Sequence, residues 1–132
     1  MKEHITILLV DDDEDDRKLF SDAVMEVDKA ITCNSAANAQ EALTILKNEA
    51  IMLPDIIILD LRMPGISGQK CLEEIKKDPR IMNIPVLIYT TSREVKESIE
   101  LKKLGAAHFI SKPTSPDEVY YLVSYIINEN WS

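Results

Sequence analysis

Cysteine and glycine are scarce in this 132-residue sequence, and their scarcity argues against several kinds of site. The two cysteines, Cys33 and Cys71, have no CxxC or histidine partner spacing. We therefore expect two buried or half-buried thiols, and neither a disulfide nor a zinc site. The three glycines form no Gly/Ser linker and no GxxxxGK[ST] phosphate loop after the first strand, which disfavours a P-loop nucleotide-binding module.

Long apolar segments and a positive net charge are also missing. The longest purely apolar runs contain four or five residues, whereas a membrane-spanning helix needs about 20. The formal net charge is −8 at pH 7, which disfavours binding to a nucleic-acid backbone or an anionic membrane. These absences predict a cytoplasmic protein with basic or cationic partners and no direct contact with nucleic acid or membrane.

The sequence does contain an alternation of short β-rich runs and amphipathic helical patterns. Its composition is globular, and its length suits a single domain over residues 1–132 with no output domain attached. The alternation predicts an α/β fold, a five-stranded doubly wound parallel sheet with five helices on its two faces. The predicted strands cover residues 5–10, 30–35, 56–59, 84–89 and 106–110.

Asp60 follows the most apolar of these strands. The four aliphatic residues of Ile56–Leu59 are typical of a buried parallel strand. Turn residues follow, and Gly65 and Gly68 each permit a positive φ. Because ligands bind outside the carboxyl ends of parallel strands, Asp60 is a candidate functional residue, although an aspartate also suits a turn.

The acidic run Asp11–Asp16 begins where the first strand ends. A helix is predicted to start near Asp13 or Glu14, and we assign the acids from Asp13 to Asp16 to stabilisation of its first turn. Asp11 and Asp12 precede that helix, so their mutual repulsion requires a cation or a lysine nearby.

Capping patterns predict two further helix starts. Capping boxes over Asn38–Glu41 and Thr91–Glu94 begin the second and fourth helices. Val95, Ile99 and Leu104 form a thin apolar face on the fourth helix, which suggests a contact surface there, and Gly105 ends the helix.

Polar side chains follow four of the five predicted strands: Asp11, Asp12, Asp60, Thr90 and Lys112. Three clustered carboxylates suit Mg²⁺, with water and a backbone carbonyl completing its coordination. A carboxylate can also attack phosphorus and form an acyl phosphate when a metal and a lysine neutralise the phosphoryl oxygens. Taken singly, Thr90 suits a helix cap and Lys112 suits a surface, but these readings leave the clustering at the strand ends unexplained.

Over its full length the chain resembles the receiver domain of two-component response regulators. The matching motifs are Val10–Asp12, Leu59–Asp60, Met63–Gly65, Thr90 and Lys112–Pro113. The resemblance implies a flavodoxin-like fold with strand order 2-1-3-4-5 and Mg²⁺ as the cofactor. It further implies a signalling domain that accepts a phosphoryl group and is not an enzyme beyond slow self-dephosphorylation.

The resemblance also assigns roles to single residues. Asp60 is the phosphoryl acceptor, and Thr90 and Lys112 bind the phosphoryl group. Thr90 and Phe109 act as switch residues, although Phe109 is explained equally well as a core phenylalanine. The Lys112–Pro113 bond is expected to be cis. The implied metal ligands are Asp12 directly, Asp11 through water, Asp60, and the backbone carbonyl of Arg62.

The implied partners are a sensor histidine kinase or a histidine phosphotransfer protein, and a downstream protein target. The output face is the fourth helix, fifth strand and fifth helix, where the tyrosines 120, 121 and 125 favour contact with a partner or with a second copy in a homodimer. Arg62 and Ser92 occupy positions that line the path of the hydrolytic water in this family. Arg62 either shields the acyl phosphate or orients that water.

Two alternatives remain open. A phosphohydrolase of the haloacid dehalogenase kind also uses an aspartate nucleophile, but it has a second aspartate two residues later, where this chain has Arg62. A receiver-like interaction module that works without phosphate is disfavoured because all five pocket residues are present.

Overall fold

The computed structural model describes residues 4–131, in which five strands and five helices alternate. The strands are β1 (Thr6–Val10), β2 (Thr32–Ala36), β3 (Ile56–Leu59), β4 (Val86–Thr90) and β5 (His108–Ser111). The helices are α1 (Glu14–Val27), α2 (Ala39–Lys47), α3 (Gly68–Lys77), α4 (Val95–Lys103) and α5 (Pro116–Asn128). Every strand end lies within two residues of its predicted position.

The strands form one parallel sheet in the order β2-β1-β3-β4-β5, which confirms the predicted fold. Alternate residues of a strand face opposite sides of the sheet, so an apolar cluster forms on each side. One cluster contains Phe20 of α1 and Val123 of α5. The other contains Leu46 of α2, Leu72 of α3 and Leu101 of α4. The helices therefore cover both faces and leave the carboxyl ends of the strands accessible.

Short polar side chains cap the helices close to the predicted positions. Asp13, Asn38 and Ser115 each accept a hydrogen bond from the backbone N–H three residues later, at 3.1, 2.8 and 3.3 Å. At the end of α4, Gly105 has a φ of +109°, as expected for a glycine that terminates a helix.

The predicted capping box at the start of α4 is wrong. The N-cap is Glu94, and it makes no side-chain capping bond. Ser92, not Thr91, accepts the Glu94 N–H, at 3.3 Å. The hydrogen bond to the Ser92 hydroxyl forms a local turn in place of the predicted capping box, and the helix begins at Val95.

Two residues of the predicted apolar face of α4 lie outside the core. Val95 and Ile99 are 73% and 50% exposed, whereas Leu101 is buried. Leu101 belongs to the apolar cluster under α2, α3 and α4, whereas Val95 and Ile99 are turned away from the sheet. Two apolar side chains of α4 therefore face solvent.

The expected cis bond at Lys112–Pro113 is absent, because the described residues contain no cis peptide bond. Trans is the lower-energy form of an X–Pro bond by about 0.5–1 kcal/mol. The positive φ predicted for the turn after Asp60 occurs at Gly65, at +79°, and not at Gly68. Cys33 is half-buried, Cys71 is buried, and both are free, as expected. Within residues 4–131 no helix combines the length and apolar character needed to cross a membrane.

Candidate functional site

The register of β1 and β3 brings two of the predicted site residues together. Val10 is the register partner of Leu59, so Asp11 and Asp60 leave neighbouring strands at the same level. The Asp60 N–H donates to the Val10 carbonyl at 2.8 Å, and the Asp11 N–H donates to the Ala36 carbonyl of β2 at 3.1 Å. These backbone hydrogen bonds thus fix the positions of Asp11 and Asp60 at the edge of the sheet.

The register of β4 and β5 places the other two strand ends side by side. Thr90 is the register partner of Ser111, and the Lys112 N–H donates to the Thr90 carbonyl at 2.7 Å. The hydroxyl of Thr90 is buried and accepts the Ser92 N–H at 3.4 Å. Ser111 Oγ donates to the Ser92 carbonyl at 3.2 Å. The loop between β4 and α4 is therefore tied to both strands.

Asp11, Asp12 and Asp60 form an acidic triad whose carboxylate oxygens lie within 4.8 Å of one another. Asp11 and Asp60 are buried, while Asp12 is exposed beside a surface cavity of about 580 Å³. Three oxygen ligands at this spacing, open to water on one side, fit a small divalent cation such as Mg²⁺. Arg62 is adjacent, with its backbone N–H 3.5 Å from Asp60 Oδ1.

The ammonium of Lys112 lies among three carboxylates. Its Nζ lies 2.8 Å from Asp11 Oδ2, 3.0 Å from Asp16 Oδ2 and 3.6 Å from Asp60 Oδ2. Burial alone would lower the pKa of Lys112, but its hydrogen bonds and charge interactions with these carboxylates outweigh burial and raise the pKa. Nζ also lies 5.6 Å from the ring centre of Tyr89. Lys112 therefore remains charged and faces the triad.

Burial raises the pKa of Asp60 to about 6. Lys112 opposes this shift, and the negative charges of Asp11 and Asp12 add to it. A raised pKa means that protonated Asp60 stabilises the folded protein. This stabilisation is complete below the ordinary pKa of 3.8 and is lost as the pH rises through about 6. Ionisation of Asp60 in the folded protein therefore comes at a cost in stability.

The pKa of Asp60 leads to a prediction for metal binding. Because a proton and Mg²⁺ compete for the Asp60 carboxylate, the Mg²⁺ affinity should fall about tenfold per pH unit below about 6. Titration with Mg²⁺ between pH 4.5 and 8, followed by NMR or calorimetry, measures this dependence. An affinity that is constant down to pH 5 would contradict the prediction.

The side chain of Arg62 is exposed and pairs with Glu97 of α4. Its Nη2 lies 3.4 Å from Glu97 Oε2 in the first turn of α4, and the arginine side chain is 63% exposed. The guanidinium therefore links the loop after β3 to α4. Phe109 of β5 is half-buried and packs against the apolar cluster under α2, α3 and α4, a placement compatible with both roles considered for it.

Asp16 is a member of the site that the sequence analysis did not identify. We assigned it only to the first turn of α1, where Asp13 in fact supplies the cap. Its carboxylate instead accepts a hydrogen bond from Lys112 Nζ, 96 residues along the chain. No local pattern could reveal this pair, because it depends on α1 lying beside the end of β5.

The chain matches the family model of the response regulator receiver domain over residues 7–124. It is 32% identical over 127 residues to response regulator Rre1 of Synechocystis sp., covering 96% of this chain and 53% of that protein. It is also 32% identical over 114 residues to the phosphate regulon transcriptional regulatory protein PhoB of Pseudomonas aeruginosa, covering 86% and 48%. The chain thus spans about half the length of these curated relatives.

Two solved structures extend the comparison to the fold. The phosphorylated cyanobacterial phytochrome response regulator RcpA has a TM-score of 0.86 at 28% identity, covering 93% of this chain and 91% of that chain. The Mn²⁺-bound form of response regulator Rcp1 has a TM-score of 0.78 at 28% identity, covering 92% and 91%.

The fold, the acidic pocket and these relatives define a signalling domain. The chain belongs to the response regulator receiver family of two-component systems. Receiver domains bind a divalent metal at this pocket and interact with histidine kinases and downstream effectors.

Proposed function

We propose that this domain accepts a phosphoryl group on Asp60, from the phosphohistidine of a sensor histidine kinase or a histidine phosphotransfer protein, in a Mg²⁺-dependent reaction. The observation that carries the proposal is the setting of the Asp60 carboxylate, which is buried between two further acids and the Lys112 ammonium at 3.6 Å. The receiver-family match over residues 7–124 supports it.

The transfer step is a substitution at phosphorus. A carboxylate oxygen of Asp60 attacks, an O–P bond forms, and the P–N bond of phosphohistidine breaks with its electron pair going to the imidazole nitrogen. The Lys112 ammonium neutralises charge that develops on the phosphoryl oxygens. Asp11, Asp12, Asp60 and the carbonyl of Arg62 would hold Mg²⁺, which when bound supplies further neutralisation of these oxygens.

Thr90 connects the chemistry to conformation. Its buried hydroxyl lies at the start of the loop that leads into α4, and a phosphoryl group on Asp60 offers it a new acceptor. Movement of this loop would alter the face formed by α4, β5 and α5. That face carries the exposed side chains of Val95, Ile99 and Tyr125, which suit contact with a downstream protein.

The phosphohydrolase alternative lacks a proton donor. Two residues after Asp60 the chain has Arg62, whose guanidinium pairs with Glu97. An arginine side chain stays protonated at neutral pH and therefore does not act as a general acid. Asp60 would therefore be phosphorylated without rapid turnover.

Labelling with acetyl phosphate tests the proposal. The wild-type protein with Mg²⁺ should gain the mass of one phosphoryl group, and both chelation of the metal and the Asp60→Asn substitution should prevent the gain. Asp22→Asn is the matched control, because it removes an exposed carboxylate of α1 and should leave labelling intact. Labelling of the Asp60→Asn protein, or steady hydrolysis of a phosphomonoester that depends on Asp60, would contradict the proposal.

A further inference from the structure

Lys112 has more carboxylate partners than its role in phosphoryl binding requires. An ammonium has three N–H donors, and two of them face Asp11 and Asp16 at 2.8 and 3.0 Å. The distance to the phosphoryl acceptor Asp60 is 3.6 Å, beyond a normal hydrogen bond. In this arrangement the lysine is bound more closely by Asp16 than by Asp60.

Asp16 differs from the other carboxylates that face Lys112. The metal-binding cluster found among the described residues consists of Asp11, Asp12 and Asp60 and does not include Asp16. A cation in that cluster would compensate the charges of its members and leave Asp16 with Lys112 as its counter-ion. The side chain of Asp16 is 37% exposed, so water can solvate its carboxylate when the lysine leaves it.

We infer that Asp16 is a positioning residue that competes with the phosphoryl group for Lys112. This inference rests on the proposed function, and it assigns a role to a residue outside the acidic triad. In the resting protein Asp16 draws the ammonium towards α1. When a phosphoryl group arrives on Asp60, its three acceptor oxygens take the ammonium and Asp16 returns to solvent.

The competition has a consequence for α1. The bond between Asp16 and Lys112 joins the first turn of α1 to the end of β5. Its release on phosphorylation would free that turn, so α1 would respond to the phosphorylation state along with the loop at Thr90. Asp13 still caps the helix, and α1 therefore stays folded.

The test is the affinity for beryllofluoride, a stand-in for the phosphoryl group, in the presence of Mg²⁺. We expect Asp16→Asn to bind it about twofold to fivefold more tightly than the wild type, the range for a partly exposed ion pair. The same substitution should leave thermal stability unchanged or slightly lower. Loss of a residue with a merely structural role would lower both stability and affinity, so a rise in affinity without a rise in stability identifies the competition.

Asp15→Asn is the matched control, because Asp15 is an exposed acid in the same turn of α1. It should change the affinity less than Asp16→Asn does. If Asp16→Asn binds beryllofluoride no more tightly than Asp15→Asn does, the inference is wrong while the proposed function stands. If the wild type itself fails to bind beryllofluoride with Mg²⁺, the proposed function fails first.

Discussion

Replacing Lys112 by methionine is expected to destabilise the metal-free protein by about 3 kcal/mol at neutral pH, as for other buried ion pairs that lose one partner. The lysine side chain is 10% exposed, that of Asp11 is fully buried and that of Asp60 is 7% exposed. Methionine is also long, unbranched and flexible, so the main loss is the charge. The remaining carboxylates then repel one another without a cation.

The dependence on pH and metal distinguishes charge from packing. Without the ammonium the pKa of Asp60, already raised to about 6, rises further. As the pH increases, the free energy of unfolding of the variant should therefore continue to fall up to a higher pH than that of the wild type. The difference in unfolding free energy between the two proteins should be smaller at pH 5 than at pH 7.5. Mg²⁺ should restore more stability to the variant than to the wild type, because it replaces the missing positive charge.

Urea unfolding of both proteins at the two pH values, with Mg²⁺ and with a chelator, measures these differences. Lys29→Met is the control, since Lys29 is exposed in the turn between α1 and β2, and its loss should cost no more than about 0.5 kcal/mol. An equal destabilisation of Lys112→Met at both pH values would assign its effect to packing.

The fold and most of the site could be predicted because they depend on features that a linear pattern displays. A buried parallel strand appears as an apolar run such as Ile56–Leu59, and the residue after the run lies at the strand's carboxyl end. Parallel strands place all such ends at one edge. Asp11, Asp60, Thr90 and Lys112 could therefore be grouped before the sheet order was known.

The parts that were missed depend on contacts between distant segments. Asp16 looked like an ordinary first-turn acid, and its bond to Lys112 exists only because α1 and the end of β5 meet. Val95 and Ile99 have the i,i+4 spacing of an apolar face, but the buried residue of α4 is Leu101. Helix periodicity indicates that an apolar stripe exists; the neighbouring elements decide which side is covered.

The role of Gly68 could not be predicted from the sequence either. Sequence alone does not distinguish a glycine that is needed for a positive φ from one that is needed for its small size. A Cβ atom at Gly68 would lie 2.3 Å from the carbonyl oxygen of Asp60 and 2.6 Å from Leu61 Cα. Both atoms belong to the backbone, so no side-chain rotation can relieve the clash. The Gly68 N–H also donates to the Leu61 carbonyl at 2.9 Å, which fixes α3 against the end of β3.

Gly68→Ala should therefore destabilise the protein by about 3 kcal/mol, at the upper end of the range for overpacking. It should also weaken Mg²⁺ binding, because the backbone of Asp60 must shift to admit the methyl group. Gly65→Ala is the comparison: its φ of +79° makes alanine unfavourable, but no atom lies within 4 Å of the added Cβ, so we expect a loss of about 1 kcal/mol. If urea unfolding gave Gly68→Ala a loss no larger than Gly65→Ala, with Mg²⁺ affinity unchanged, the close approach of α3 to Asp60 would not be what positions the Asp60 carboxylate.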